Sequence, residues 1–288
     1  MRTQGKNTLG TYLVPPSQAV GLISQLDALN ERGDSIKTPL IAERPFSLFI
    51  NDHEVVTLMT IGDHLRWLAL GWIAGQGFFT DLQEIEEIEI DEDLGVMVIR
   101  TSNDLNLDVK LKKRTVTSGC AQGTMFGSLM DGLEGKKLPV GPKLMLSEFY
   151  RLLKAITQTP SLYLEAGAIH GCVLASGERP LVYMEDVGRH NAVDKIRGYV
   201  WDTGLPTHDK VMFTTGRLTS EMVIKTVQMG VPILISRSGF TRWGVDLARE
   251  VGLTLIGRAR GRRFVMLAGS ERLLHDIDPK ELNFDPGR

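Results

Sequence analysis

The chain has 288 residues, a formal net charge of -2, and 24% charged against 42% hydrophobic residues, which excludes a disordered or fibrous protein. That charge gives no general pull towards nucleic acid or anionic membrane, so any anion site must be a local basic cluster. No apolar run approaches the roughly 18 residues that span a bilayer and no apolar signal region opens the chain, so a cytoplasmic protein is expected; Cys120 and Cys172 are too few for a disulfide framework or a Cys-rich zinc site.

Val20, Leu22, Ile23, Leu26 and Leu29 recur at near-helical spacing and predict a short helix within a peripheral segment, 1–40. The runs PFSLFI and EVVTLMT, joined by Asn51-Asp52-His53, predict a hairpin. Asp63 then caps a helix ending near Gly75 and Gly77, and strands follow over 84–91, 96–100 and 105–111. Residues 41–130 thus read as a smaller β-rich domain with one helix, which includes the Cys120 loop. A Gly- and Lys-rich linker follows over 131–145.

From Ser147 the pattern changes. A capped helix, SEFYRLLKAIT, precedes an alternation of apolar strand-like runs (LVYME, KVMFTT, PILIS, LTLIG) with helical stretches (GRHNAVDKIRGYV, LTSEMVIKTVQMG, TRWGVDLAREVG). A final strand is expected over 262–267. Alternation of this kind predicts a layered α/β domain over 146–270, with a tail over 271–288.

Cys120 stands in TVTSGCAQGTMFG, behind Lys112, Lys113 and Arg114. Gly119, Gly123 and Gly127 free the backbone to bend, and nearby cations favour thiolate over thiol. A lone cysteine in such a loop can also be simple filler, a description that suits Cys172 in GAIHGCVLAS better. Strand-to-helix junctions supply further polar groups: Arg189, His190 and Asn191 within EDVGRHNAVDK, Arg217 within TTGRLTSE, and Ser236 with Arg237 within SRSGFT. Strand ends of an open α/β sheet are where ligands bind, so these loops are expected to converge on one crevice. Singly, Asp186 could be only a helix cap and Lys195 only a solvated charge on the outer helix face. In Arg258-Ala259-Arg260-Gly261-Arg262-Arg263, four guanidiniums fall within six residues, which suits a pyrophosphate-bearing ligand or RNA, or else a solvated turn.

Together these residues resemble the FdhD family of formate dehydrogenase accessory proteins, from about Pro45 to Leu267. EDVGRHNAVDK is the most specific piece, supported by TLMTIGDHLRWLALGWIAGQGFF and GRLTSEMVIKTVQMGVPILISRS in that order. The resemblance implies a sulfurtransferase that accepts sulfur from a cysteine desulfurase as a Cys120 persulfide. It then passes that sulfur to the molybdenum bis-molybdopterin guanine dinucleotide cofactor, a bound substrate, before formate dehydrogenase receives it. It implies a larger domain similar to the cytidine deaminase fold, no protein-ligated metal, a homodimer, and no nucleic-acid or membrane partner. Arg258 to Arg263 would contact the guanine dinucleotide, with Arg189, His190, Asn191, Arg217, Ser236 and Arg237 completing the site.

One departure stands out. The family's loop holds a C-x-x-C pair, whereas Cys120-Ala121-Gln122-Gly123 keeps only the first sulfur. One thiolate suffices for exchange, so transfer survives in principle. A cofactor-binding chaperone that has lost sulfur transfer is the alternative; a zinc deaminase would need ligands the two cysteines do not supply, and a cysteine hydrolase would pair Cys120 with His170 or His190.

Overall fold

The structure is a computed structural model that describes residues 12–103, 133, 135–139 and 141–278. Cys120, the basic run Lys112 to Arg114 and the strand expected over 105–111 lie outside the described residues, as do both chain ends.

The predicted hairpin is present as β3 (Arg44–Ile50) and β4 (His53–Thr60), with Asn51 in the left-handed region at φ 52°. β5 (Glu87–Asp91) and β6 (Val96–Arg100) complete a four-stranded sheet in the order β4-β3-β6-β5. Phe46, Leu48, Ile50, Met97 and Ile99 face a core closed by α1 (Leu65–Gln76), which stops at Gly77 because φ of 67° there suits a residue without Cβ. The residue before α1 is His64, in left-handed backbone with no side-chain cap. Asp63 therefore does not cap this helix; its carboxylate turns to Lys195 instead, 2.5 Å away.

The larger unit is a six-stranded sheet built from β8 (His170–Ser176), β9 (Arg179–Asp186), β10 (Val211–Thr214), β11 (Ile233–Ser236), β12 (Thr254–Arg260) and β13 (Arg263–Ala268), in the order β13-β12-β11-β10-β8-β9. β10, β11 and β12 are mutually parallel, and β9 runs with them because both β9 and β10 are antiparallel to β8. Four strands thus end at one edge, the same edge at which β8 begins with His170. Alternate side chains point to opposite faces. Cys172, Leu174, Met184, Met212 and Leu234 meet the helices α4 (Arg189–Thr203), α5 (Ser220–Gln228) and α6 (Arg242–Val251). Val173, Tyr183, Phe213, Ile235 and Ile256 meet the short strand β7 (Leu144–Met145) and α2 (Leu146–Gln158) on the other side. The result is a mixed α/β protein with helices on both faces of its main sheet. α2 is not capped by Ser147, which lies inside its first turn and bonds Asp276; Glu148 caps it by accepting from the Met145 amide at 2.9 Å.

The helix expected over Val20 to Leu29 is instead a strand. β1 (Ile23–Leu29) pairs antiparallel with β2 (Ser35–Ile41), and Leu26 and Leu29 stay exposed rather than forming a buried stripe. Between them, α3 (Leu162–Ala166), Ile61 of the smaller unit and Leu22 share a small apolar cluster.

α1 and α4 cross with their backbones almost in contact. A Cβ on Gly71 would lie 1.7 Å from the Asp194 carbonyl oxygen, and one on Gly198 would lie 1.9 Å from that of Trp67. Mid-helix glycine normally costs about 0.5–1 kcal/mol relative to alanine. Here the sign reverses: Gly198→Ala is expected to destabilise by about 3 kcal/mol, because backbone atoms cannot yield as a side-chain tip can. Urea unfolding checks this, and a stability gain would refute the close crossing.

Candidate functional site

A cleft of about 1100 Å³ opens at the edge where the strands end, on the face that carries α2. An aromatic wall is formed by Tyr150 of α2, Tyr163 of α3, Tyr183 of β9 and Phe264 of β13, and the same cleft is lined by Arg237 and the whole predicted run Arg258, Ala259, Arg260, Gly261, Arg262 and Arg263.

The arginine hairpin is shaped locally. A register shift interrupts the β12–β13 pairing between Gly257 and Arg260, and Arg258 sits at φ 53°, a conformation that favours glycine. Its amide donates to the Ser238 carbonyl oxygen at 2.9 Å. Such a bulge re-aims side chains, and strained residues of this kind persist where the surroundings over-determine them. Arg260 and Arg263 are directly cross-strand partners. Like charges in that register repel, an arrangement that an anion between them would relieve. The Arg260 Nε donates to the Arg237 carbonyl at 3.2 Å, and the Tyr150 hydroxyl donates to that of Arg262 at 3.1 Å, so the turn is tied both to the loop after β11 and to α2. The Arg258 guanidinium lies 5.4 Å from the Phe240 ring centroid, and that of Arg237 lies 5.9 Å from that of Tyr163.

The loops after β10 and β11 do converge, held by hydrogen bonds from Leu218 to Gly239, Thr241 to Leu218 and Arg237 to Thr214. Thr215 reaches the cleft, and its hydroxyl meets His170 Nδ1 at 3.3 Å. Burial, then the nearby Arg189 and Arg217 guanidiniums, push the His170 imidazole below its ordinary value, which keeps it neutral at pH 7. Arg217 is exposed. Ser236 is spent inside the loop, donating to the Gly216 carbonyl at 2.6 Å and accepting from the Ser238 amide at 2.9 Å.

Arg189, His190 and Asn191 do not line the cleft. They open α4, which packs on the opposite face of the sheet, and all three are buried. Asn191 donates to the Met59 carbonyl at 2.7 Å and to Asp186 at 3.2 Å. The Arg189 side chain packs where a Cβ on Gly216 would stand. Burial and the surrounding cations push the His190 imidazole well below the ordinary histidine range, and its Nε2 lies 3.1 Å from Glu221.

Asp186 is more than a helix cap, and Lys195 is not solvated at all. Lys195 is 0% exposed, with its ammonium 2.5 Å from Asp63, 2.6 Å from Asp186 and 2.9 Å from the Glu185 carbonyl oxygen. Thr60 donates to Asp186 at 2.5 Å. The residue before Lys195 on α4, Asp194, receives the Lys225 ammonium on both oxygens at 2.5 and 2.6 Å. Thr60, Asp63 and Met59 belong to the smaller unit, so much of EDVGRHNAVDK joins the two units. Sequence reasoning missed Asp63, Thr60 and Glu185 in this role; the one available signal was the density of charges along a helix otherwise fit for burial.

Cys172 is fully buried with its thiol donating to Thr214 at 3.2 Å, and burial pushes its pKa up to about 12, which leaves it unreactive filler. Among the described residues no three His, Cys, Asp or Glu side chains are grouped as metal ligands, and no helix is long and apolar enough to cross a membrane.

A family model described as the FdhD/NarQ family matches residues 41–274. The sulfur carrier protein FdhD of Bacillus pumilus (strain SAFR-032) is 31% identical over 237 residues, which cover 81% of this chain and 90% of that protein. The protein of the same name from Bacillus subtilis (strain 168) is 30% identical over 246 residues, covering 84% and 94%. A crystal structure from Desulfotalea psychrophila, assigned as a formate dehydrogenase accessory protein, superposes with a TM-score of 0.70 at 27% identity, covering 88% of this chain and 98% of that one.

Proposed function

The chain belongs to the FdhD/NarQ family, and on that premise we propose that it is a sulfur carrier serving formate dehydrogenase, with Cys120 as the carrier and the arginine cleft as the seat of its substrate. The observation that supports this most is the cleft itself: guanidiniums and aromatic rings line one space of about 1100 Å³, a combination that suits a ligand carrying both phosphates and a planar base. The guanine dinucleotide portion of a bis-molybdopterin cofactor has that composition. In this reading Arg237, Arg258, Arg260, Arg262 and Arg263 contact phosphate, Ala259 and Gly261 leave room for it, and Arg217 adds field from outside. Arg189, His190, Asn191 and Ser236 hold the surrounding loops.

Cys120 enters from the sequence. Its thiolate attacks the outer sulfur of a desulfurase persulfide; the donor S–S bond breaks, the donor cysteine leaves as thiolate, and Cys120 holds the sulfane sulfur with no net oxidation. The same reading places the protein in the cytoplasm as a homodimer, with a deaminase-like layering of the larger domain (146–270) beside the smaller one (41–130). The missing second cysteine favours one other reading, a chaperone that binds the cofactor without carrying sulfur.

Mass spectrometry after incubation with desulfurase and cysteine separates the two. The expected result is one added sulfur on the Cys120 peptide, none in Cys120→Ser, and full loading in Cys172→Ala. If Cys120→Ser supports formate dehydrogenase as well as the unaltered chain does, the chaperone reading replaces the carrier.

A further inference from the structure

The ionic bridge between the two units and the aromatic wall of the cleft meet at one side chain, Glu185, the penultimate residue of β9. It is 1% exposed. Its carboxylate accepts from the Leu162 amide at 3.1 Å and the Tyr163 amide at 2.8 Å. Its carbonyl oxygen accepts from Lys195 at 2.9 Å, the ammonium that also reaches Asp63 of the smaller unit. α3 is a helix of five residues, too short to persist without such support. Leu162 packs with Ile61 and Leu22, while Tyr163 and Leu164 line the cleft.

Ser161 already caps this turn, its hydroxyl accepting from the Leu164 amide at 3.4 Å, so a buried carboxylate is an expensive addition that starting the helix does not require. What the carboxylate adds is a pair of strong, charge-assisted bonds to two successive amides. That turn is thereby fixed relative to β9, whose end is fixed by Lys195 and Asp63.

We propose that Glu185 is a positioning residue through which the seating of the smaller unit sets the Tyr163 wall of the cleft, so that nucleotide binding and the Asp63–Lys195 bridge are thermodynamically linked. The inference rests on the reading that the cleft takes a guanine nucleotide, and it concerns how that cleft is held in shape. Asp63 does not line the cleft, so an effect of Asp63 on binding is indirect; Glu185→Gln cuts the path through Lys195 and Glu185 and leaves the apolar contact of Ile61 with Leu162 in place.

Calorimetry with guanosine diphosphate and amide-exchange mass spectrometry, both on the full chain, test this. Asp63→Asn and Glu185→Gln are each expected to weaken GDP binding by about tenfold, within the usual range for linked sites. The double variant should bind no worse than Glu185→Gln alone, because both changes cut one path. Asp63→Asn should also speed exchange at Leu162 and Tyr163 without ligand, and GDP should slow exchange around Ile61 in the unaltered chain but not in Glu185→Gln. A Glu185 that only starts a helix would leave that last difference absent. Where Asp63→Asn does not fold, Asp63→Glu keeps the charge and moves it by one methylene. Unchanged exchange at Leu162 and Tyr163, or additive losses in the double variant, would overturn the linkage. If the unaltered chain fails to bind GDP, the nucleotide reading falls, and exchange at α3 in the Asp63 variant alone decides whether the path exists.

Discussion

Lys195→Met is expected to lower the stability of the folded chain by about 3–5 kcal/mol, the loss typical of removing one partner from a buried ionic cluster. The methionine nearly matches the lysine in volume, so packing survives. Two carboxylates do not: Asp63 and Asp186, both buried, would face each other with no cation between them. Chemical denaturation gives the number directly, and a loss under about 1 kcal/mol would mean that water already neutralises the cluster. The triple variant Lys195→Met, Asp63→Asn, Asp186→Asn should recover much of the deficit, since the uncompensated charge, rather than the absence of attraction, carries the cost. Burial lowers the Lys195 pKa, but Asp186 and Asp63 raise it by more, so its net shift is upward. A cation whose folded pKa is raised contributes its stability fully below the unfolded value, about 10.4, and loses it as pH rises through the folded one. The unaltered chain should therefore destabilise selectively in strong alkali, and Lys195→Met should lack that limb.

The same cluster explains what a reader of the sequence could and could not see. Strands such as PILIS and LTLIG were legible because a run of apolar residues between turns has few other uses in a sheet covered on both faces. The arginine turn was legible because four guanidiniums in six residues demand an explanation. EDVGRHNAVDK was visible as a dense polar run, but its purpose was not. The partners of Asp186, Asn191 and Lys195 are Thr60, Met59 and Asp63, more than 120 residues earlier in the chain. No local pattern encodes that pairing. The N-terminal strand was misread for a different reason. A spacing of three between Ile23, Leu26 and Leu29 fits a helix, and antiparallel pairing with β2 over all seven residues overrode it. β8 escaped notice because Gly171 shortens its apolar run, although it lies inside the sheet between β10 and β9.

Arg260→Glu with Arg263→Glu should weaken GDP binding at least 100-fold while leaving the fold intact. Hydrogen bonds to charged groups contribute about 1.5–3 kcal/mol each, so losing two such contacts to phosphate amounts to a factor of roughly 10² or more before any repulsion is counted. The cross-strand register supplies a control. Arg260 and Arg263 oppose each other, so the double variant exchanges one like-charge pair for another and should lose only the bond from Arg260 to the Arg237 carbonyl, about 1 kcal/mol of unfolding free energy. Arg263→Glu alone should do the opposite on the two scales, adding a cross-strand ion pair with Arg260 while weakening the nucleotide site. Stability and affinity would then move in opposite directions in one substitution, which a merely structural hairpin would not produce. Affinity of the unaltered chain should also fall as salt rises, because these guanidiniums are largely exposed to screening. Equal GDP affinity in the unaltered chain and the double variant, measured by calorimetry at low salt, would remove the hairpin from the phosphate site and leave the aromatic wall alone to account for any nucleotide that binds.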